Sequence, residues 1–366
     1  MINLFVLIIF CCFVANRITI YSRSYNNVWL ATKENVNVKI MYYTLLIALI
    51  LFSGLRTSYN DTGTYMQAYS FLQVQKIDLE ILQEEYGGFV LFQQLLKKYI
   101  SNDPQVLIFC SSVIVNSLYL WFFAKHSSRF DTTIFCYFIL GPYIFSMAGI
   151  KQAMAMAICL LAIDNLLKGK SLKFVLWILL AMTFHPYIIC MLVLPWLFKG
   201  IWTQRMMGIF ILITLISSNL ELLLDVAGLI GKEYTFVELT SHTINPMRVV
   251  VELMPVVLSF WGRKKLGRCD NQFMNLGINM MIINAIMISL GLFLNPIYFG
   301  RIGTYFSSIN AIIVPMMLSV IIEKNNHYKY SLMIYYSIYI VYFVLDLTKL
   351  GNISIFYDLF NHISLF

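Results

Sequence analysis

The chain has 366 residues, of which 60% are hydrophobic and only 12% are charged. Soluble domains carry about 25% charged residues, so a soluble globular protein is excluded and a polytopic membrane protein is predicted. The net charge of +8 is attributed to membrane orientation, because cytoplasmic loops concentrate Lys and Arg. No nucleic-acid partner is expected.

The residues that usually bind metals show no suitable pattern. Seven cysteines are scattered and odd in number, which argues against a disulfide framework or a CxxC metal site. The five histidines lack HExxH-type spacing. A DxD pattern and a glycine-rich phosphate loop are also absent from the sequence. We therefore expect no metal ion and no cofactor.

Apolar segments of membrane length recur along the whole chain. They lie near residues 2–16, 40–55, 104–124, 131–148, 150–167, 206–224, 247–261, 273–295, 303–322 and 331–347. A further apolar stretch, 173–198, is split at His185-Pro186, because the residue before a proline is pushed out of the helical region. The sequence predicts an all-α, polytopic integral membrane protein with about 10–12 transmembrane helices. All of residues 1–366 form one multispanning domain in this prediction.

The distribution of basic residues orients the chain. When the loops alternate between sides, Lys and Arg divide 17 to 9, which accounts for all 26. The richer side is predicted to be cytoplasmic, which puts both termini outside. Two outer loops are long, residues 56–103 and 225–246. Residues 86–100 have helical spacing of apolar residues, which suits either an interfacial helix or packing against helix ends.

A cation and an amide interrupt the apolar run from Ile134 to Ile163. The run is too long for one membrane helix and is broken at Gly149 and Lys151, with Gln152 following. A charge at the bilayer centre costs about 2.5–3.5 kcal/mol, so Lys151 is predicted at the tip of a helical hairpin, facing a polar cavity. The alternative is a lysine that snorkels to one interface and sets topology.

Other polar residues are predicted at or just inside the outer face. If they converge, they form a cationic cavity that attracts a phosphate or pyrophosphate ester. Simpler roles remain open: the arginines mark membrane boundaries, Asp61 belongs to a turn or neutralises Arg56, and His185 bonds a freed backbone group. Besides Lys151 and Gln152, the set is Arg56, Asn60, Asp61, Tyr65, Tyr69, Glu85, His185, Arg248, Arg301 and Tyr305.

Taken in order, these motifs resemble the EpsG family of Wzy-like bacterial polysaccharide polymerases, over roughly residues 40–320. The family usually has arginine before the glutamine, whereas this chain has Lys151, which keeps the charge but not bidentate phosphate contact. The matching pieces are Leu55-Arg56, Asn60-Asp61-Thr62, Tyr65, Tyr69, Glu85 to Phe89, Met147 to Ala153, Phe184-His185-Pro186, Phe299 to Ile302 and Tyr305-Phe306.

The resemblance implies an enzyme of the bacterial cytoplasmic membrane, with its active face outside, that joins oligosaccharide repeat units carried on undecaprenyl pyrophosphate. Arg56, Arg301 and Lys151 would bind pyrophosphate, and His185 or Asp61 would be the general base. Expected partners are the lipid-linked oligosaccharide, the bilayer, and a chain-length regulator and flippase of the same pathway. Further candidates for binding pyrophosphate or sugar are Gln152, Arg248, Glu85, Tyr65 and Tyr305.

Three other activities are alternatives to this one. A multispanning glycosyltransferase that uses a polyprenyl-phosphate sugar would employ Asp61 or Glu85 as its catalytic acid. An O-antigen ligase commonly has one much larger outer loop. A lipid-linked oligosaccharide transporter or flippase predicts polar residues through the full membrane depth and often two related halves.

Overall fold

The computed structural model describes residues 2–74, 77, 79–219, 244–269, 271–322 and 328–349. Within these ranges the chain is helical and contains no β-strand. Helices suit a chain that crosses lipid, because every backbone polar group can be satisfied within the segment. The predicted all-α, polytopic fold class is confirmed. Residues 225–243 of the predicted outer loop 225–246 lie outside the described residues.

The helices are numbered here in chain order. Two 3₁₀ helices, Glu80–Gln83 and Pro186–Trp196, accompany them. The α-helices are α1 (Ile2–Tyr21), α2 (Val28–Glu34), α3 (Val36–Gly54), α4 (Thr62–Phe71), α5 (Gly87–Tyr99), α6 (Gln105–His126), α7 (Phe130–Ile139), α8 (Pro142–Ala148), α9 (Ile150–Leu167), α10 (Ser171–Phe184), α11 (Gln204–Ser218), α12 (Pro246–Trp261), α13 (Arg263–Arg268), α14 (Gln272–Leu290), α15 (Pro296–Phe306), α16 (Asn310–Ile321) and α17 (Tyr328–Lys349).

Fewer helices are long enough to cross a membrane than the sequence analysis predicts. Five of the described helices qualify by length and apolarity, α1, α3, α6, α9 and α14, or up to seven if each of two bent pairs counts as one span. A helix rises 1.5 Å per residue, so about 20 residues are needed to cross a core of about 30 Å. The other predicted spans correspond to shorter apolar helices, chiefly Ser171–Phe184, Pro186–Trp196, Gln204–Ile216 and Leu332–Thr348.

The predicted interruptions of the apolar runs occur where the sequence places them. The segment 131–148 is a pair of helices, α7 and α8, bent by 46°, and α8 ends at Gly149 just before α9 begins. The stretch 173–198 stops being α-helical at His185, and Pro186 starts a 3₁₀ helix. The amphipathic segment 86–100 forms α5, and its place at the membrane interface stays a prediction.

The described residues form two compact units. The first unit consists of the described residues up to Ile189 and those from Tyr335 onward, and the second runs from Cys190 to Ile334. The single multispanning domain predicted over residues 1–366 stays a prediction.

Buried hydrogen bonds join α3 to α6 within the first unit. Ser53 Oγ and Ser112 Oγ are 2.5 Å apart, and Asn116 Nδ2 donates to Ser53 Oγ at 3.0 Å. Such bonds between membrane helices contribute about 0.6 kcal/mol each on average. Gly54 lets the helices approach closely, since a Cβ there would lie 3.0 Å from the ring of Phe109. Packing against α6 therefore fixes the end of α3 and the position of Arg56, which follows it.

The second unit is organised around α14, which packs against α12, α15 and α16. Asn279 of α14 is buried, and its Nδ2 donates to the carbonyl oxygens of Leu197 (2.7 Å) and Gly200 (2.8 Å). A Cβ at Gly277 would lie 2.2 Å from the side chain of Ile313 on α16. Glycine and asparagine therefore serve close packing and backbone satisfaction here, as is usual between membrane helices.

Candidate functional site

The side chain of Lys151 lies among three aromatic rings of the first unit. Its Nζ atom is 4.1 Å from the ring centroid of Tyr86, 5.4 Å from that of Phe89 and 5.9 Å from that of Tyr65. Such cation–π contacts stabilise an ammonium by about 0.5–2 kcal/mol. Glu85 is close enough for its charge to act on the same ammonium. Lys151 is only half-buried, so its cation is positioned without being sealed off.

Two adjacent glycines bring the ring of Tyr86 into this group. A Cβ at Gly87 would lie 1.9 Å from the carbonyl oxygen of Ile81, and a Cβ at Gly88 would lie 2.0 Å from Thr183 Oγ1. Tyr86 itself has φ +61°, a left-handed conformation that costs an L-residue about 1–2 kcal/mol. The start of α5 reaches the end of α10 because no side chain separates them.

His185 ends α10 and packs against the same tyrosine. Its ring centroid is 5.6 Å from that of Tyr86 and 5.5 Å from that of Tyr187. The helix stops here because Pro186 follows, which disfavours a helical conformation at the preceding residue. His185 is only 4% exposed. Tyr86 therefore contacts both Lys151 and His185, and it links these two predicted site residues.

Arg56 follows the end of α3 and is only 2% exposed. Its guanidinium donates from Nε to Thr62 Oγ1 (3.1 Å), from Nη2 to the carbonyl oxygen of Met147 (3.0 Å) and from Nη1 to that of Ser53. All three acceptors are neutral, and within the described ranges no carboxylate lies within ion-pair distance. Burial lowers the pKa of Arg56 to about 10, so the group stays positively charged at neutral pH.

A small pocket lined by several serines adjoins this guanidinium. The hydroxyl of Ser111 is buried and has no hydrogen-bond partner among the described residues, and leaving such a group unpaired costs about 1–3 kcal/mol. One cation without a counter-charge and several hydroxyls form a composition that suits an anionic oxygen. The pocket is lined by Ser53, Arg56, Ser111, Ser112, Val115, Ser146 and Ile150.

The positive end of α9 faces the same region. Ile150, the first residue of α9, lines the pocket, and the N-cap Gly149 offers no side-chain acceptor to the helix. The N-terminus of a helix carries the equivalent of about half a positive charge, and its unpaired N–H groups bind anions readily. Lys151 lies in the first turn, where a cation adds to that charge. The chain therefore concentrates positive charge at this break.

The other predicted residues of the first unit occupy less specific positions. Asp61 is exposed at the start of α4 and makes no side-chain bond to cap the helix. It forms no ion pair with Arg56, so it does not neutralise the buried guanidinium in that way. Gln152 is buried at 4% exposure. Tyr65 is half-buried, with its ring 5.7 Å from that of Phe89.

Three predicted residues belong to the second unit. Arg248 lies in the first turn of α12 and is half-buried. Arg301 is exposed on α15, and Tyr305, one turn further along the same helix, is fully buried. Their roles in substrate binding stay predictions.

Two polar residues near these positions were missed by sequence reasoning. Ser111 lies inside an ordinary apolar helix, and no local pattern distinguishes it from a serine bonded to its own backbone. Glu252 was passed over although a signal exists: it is an acid within the apolar segment 247–261, and ionisable residues in such segments are functional candidates by default. The side chain of Asn284 donates to Glu252 Oε2 at 2.8 Å.

The fold and these side chains define a multi-pass, all-helical membrane protein that gathers positive charge, hydroxyls and aromatic rings where its helices break. The sequence model of the EpsG family matches residues 39–357, nearly the whole chain, and the chain belongs to the EpsG family. This is a Wzy-like polysaccharide polymerase family, and membership supports a polysaccharide polymerase activity in general. Comparisons with curated proteins and with solved structures found no significant match.

Proposed function

We propose that this protein is a polymerase that joins oligosaccharide repeat units carried on undecaprenyl pyrophosphate, at the outer face of the cytoplasmic membrane of a bacterium. The observation that carries the proposal is the positive charge at the α8–α9 break. Arg56 makes no ion pair with a described carboxylate, and Lys151 stands at the N-terminus of α9. Together they suit a substrate with a strongly anionic pyrophosphate.

The reaction explains why this charge is useful. A hydroxyl of the acceptor sugar attacks the anomeric carbon of the donor chain, the new glycosidic bond forms, and the bond from that carbon to the pyrophosphate oxygen breaks. Undecaprenyl pyrophosphate leaves with the bonding electrons, so negative charge grows on its oxygen in the transition state. Preorganised cations close to that oxygen lower the barrier.

The two cations have different parts in this proposal. Lys151 is half-buried and contacts the leaving pyrophosphate as a point charge. Arg56 is almost fully buried, and its guanidinium donates three hydrogen bonds to neutral oxygens. It supplies a fixed charge behind the helix break. Charge of this kind acts more strongly in a low-dielectric surrounding than in water.

The acceptor hydroxyl must also lose a proton. His185 is the better-positioned base of the two proposed from the sequence, because it shares Tyr86 with Lys151. Asp61 is exposed, and its carboxylate makes no hydrogen bond or ion pair within the described part of the chain. A base contributes about 10²–10⁴-fold to such a rate. Replacing His185 with glutamine should therefore cost activity while leaving the amount of folded protein unchanged.

The test of the function is the set of lipid-linked intermediates in a strain that lacks the protein. The proposal predicts complete single repeat units on undecaprenyl pyrophosphate, exposed on the outer side and chased into polymer when the gene is restored. Incomplete units that lack one sugar would contradict it and favour a glycosyltransferase. Complete units retained on the inner side would instead favour a flippase.

A further inference from the structure

A second polar cluster lies within the second unit. Arg248 and Glu252 are four residues apart on α12, so they share one face of that helix. Glu252 Oε2 accepts a hydrogen bond of 2.8 Å from Asn284 Nδ2 on α14. The three side chains thus combine a cation, a carboxylate and an amide at the interface of two packed helices.

The two carboxylate oxygens of Glu252 differ in their contacts. Oε1 accepts no hydrogen bond from the described residues, and it is not among the side-chain atoms that are fully buried without a partner. The charge of Arg248 acts on the carboxylate, but the two groups do not form an ion pair within 4 Å. One oxygen is therefore held by Asn284, and the other has no hydrogen-bond partner among the described residues.

A purely structural role does not require the negative charge. A glutamine at position 252 would accept the same bond from Asn284 without placing a charge in an apolar helix, which is unfavourable unless the charge is paired. The helix around it is apolar, with Val249, Val251 and Val256 buried. The carboxylate therefore indicates a ligand that donates hydrogen bonds to it.

The charge balance indicates which kind of ligand this is. Arg248 and Glu252 sum to zero, unlike the positive charge around Lys151, so the cluster does not select an anion. A donor group and an acceptor group side by side match neighbouring hydroxyls of a sugar, one of which donates to Glu252 Oε1 while the other accepts from Arg248.

We propose that Arg248 and Glu252 form a binding site for neutral sugar hydroxyls, with Asn284 as the residue that positions the carboxylate. The inference that this saccharide is the repeat unit rests on the proposed function. Close packing supports the position of Asn284: a Cβ at Gly303 of α15 would lie 3.0 Å from its Oδ1 and 3.2 Å from Met287 Cβ. Gly303 thereby keeps α15 against this amide.

The experiment uses the full chain, purified into lipid nanodiscs, with lipid-linked repeat units extracted from the strain that lacks the protein. Polymer formation is measured against substrate concentration for the wild type and for Glu252→Gln. Because the variant keeps shape and the Asn284 bond but loses a charged acceptor, KM should rise about 10–100-fold, with kcat little changed. Glu34→Gln on α2, an exposed residue, is the matched control and should behave as wild type.

The outcomes separate this site from the proposed function. If the wild type forms no polymer, the proposed function fails. If the wild type is active and Glu252→Gln has an unchanged KM, or loses only kcat, the saccharide site is wrong. Should Glu252→Gln fail to fold, Arg248→Met provides the same comparison. Saturation-transfer NMR measures binding of the repeat oligosaccharide released from its lipid. Its affinity for the variant must fall by about the same factor as KM rises.

Discussion

Replacing Gly88 with alanine tests whether close packing of α5 on α10 positions Lys151. The added Cβ would lie 2.0 Å from Thr183 Oγ1 and 2.7 Å from Thr183 Cβ, roughly 1–1.5 Å short of a normal contact. Overpacking of this kind costs about 1–3 kcal/mol. Relief requires α5 to move away, and Tyr86, at the start of α5, moves with it.

We expect Gly88→Ala to lower polymer formation more than it lowers the amount of folded protein. A shift of about 1 Å in a group that positions a site can lower activity about 10²-fold, whereas Gly208→Ala, where the Cβ meets nothing within 4 Å, should leave activity unchanged. Polymer length and amount are measured in cells, alongside the quantity of folded protein in detergent.

A second substitution at the contact sharpens this test. Thr183→Gly removes both of the nearest atoms and leaves only the backbone carbon at 3.2 Å. The double variant Gly88→Ala/Thr183→Gly should therefore recover part of the activity, a coupling that independent sites would not show. Wild-type activity in Gly88→Ala, at a normal protein level, would contradict the proposed role of this packing.

Two further predictions concern charged residues. Arg56→Ala should abolish polymer and Arg56→Lys should restore it only in part, because lysine keeps the charge but cannot serve three acceptors in a fixed plane; full activity of the alanine variant would contradict this. Asp164→Asn should lower thermal stability by roughly 3 kcal/mol, the low end for removing one partner of a buried pair, because Asp164 is bonded to Lys125 (2.5 Å), His126 (2.9 Å) and Lys168 (2.5 Å). Heating followed by size-exclusion chromatography measures it, and activity below the transition should be retained.

Local features of the sequence were sufficient to predict the helix breaks. Gly149 and Lys151 interrupt an apolar run, and Pro186 excludes a continuous helix through His185. Both breaks depend on residues next to each other in the chain, which is why periodicity and backbone chemistry reveal them. The number of full-length spans was less predictable, because an apolar run does not show where its helix begins, ends or bends, as in the pair α7 and α8.

The contacts of the candidate site could not be predicted in the same way. The ring of Tyr86 reaches Lys151 because Gly87 and Gly88 allow a close approach between segments far apart in the sequence. That Arg56 makes no ion pair with any described carboxylate is likewise a property of the packed structure: Asp61 is near it in sequence but forms no ion pair with it. Sequence identified the ionisable residues, and tertiary packing determines which of them are paired.

The most direct test of the central claim is reconstitution of the purified protein in bilayers with a single lipid-linked repeat unit as the substrate. Products are separated by size, and released undecaprenyl pyrophosphate is quantified. We expect a ladder of whole repeat units, one released lipid pyrophosphate for each bond formed, and loss of both when Lys151 is replaced by methionine. A wild-type reaction that adds single sugars, or that forms no ladder although the protein is folded, would contradict it.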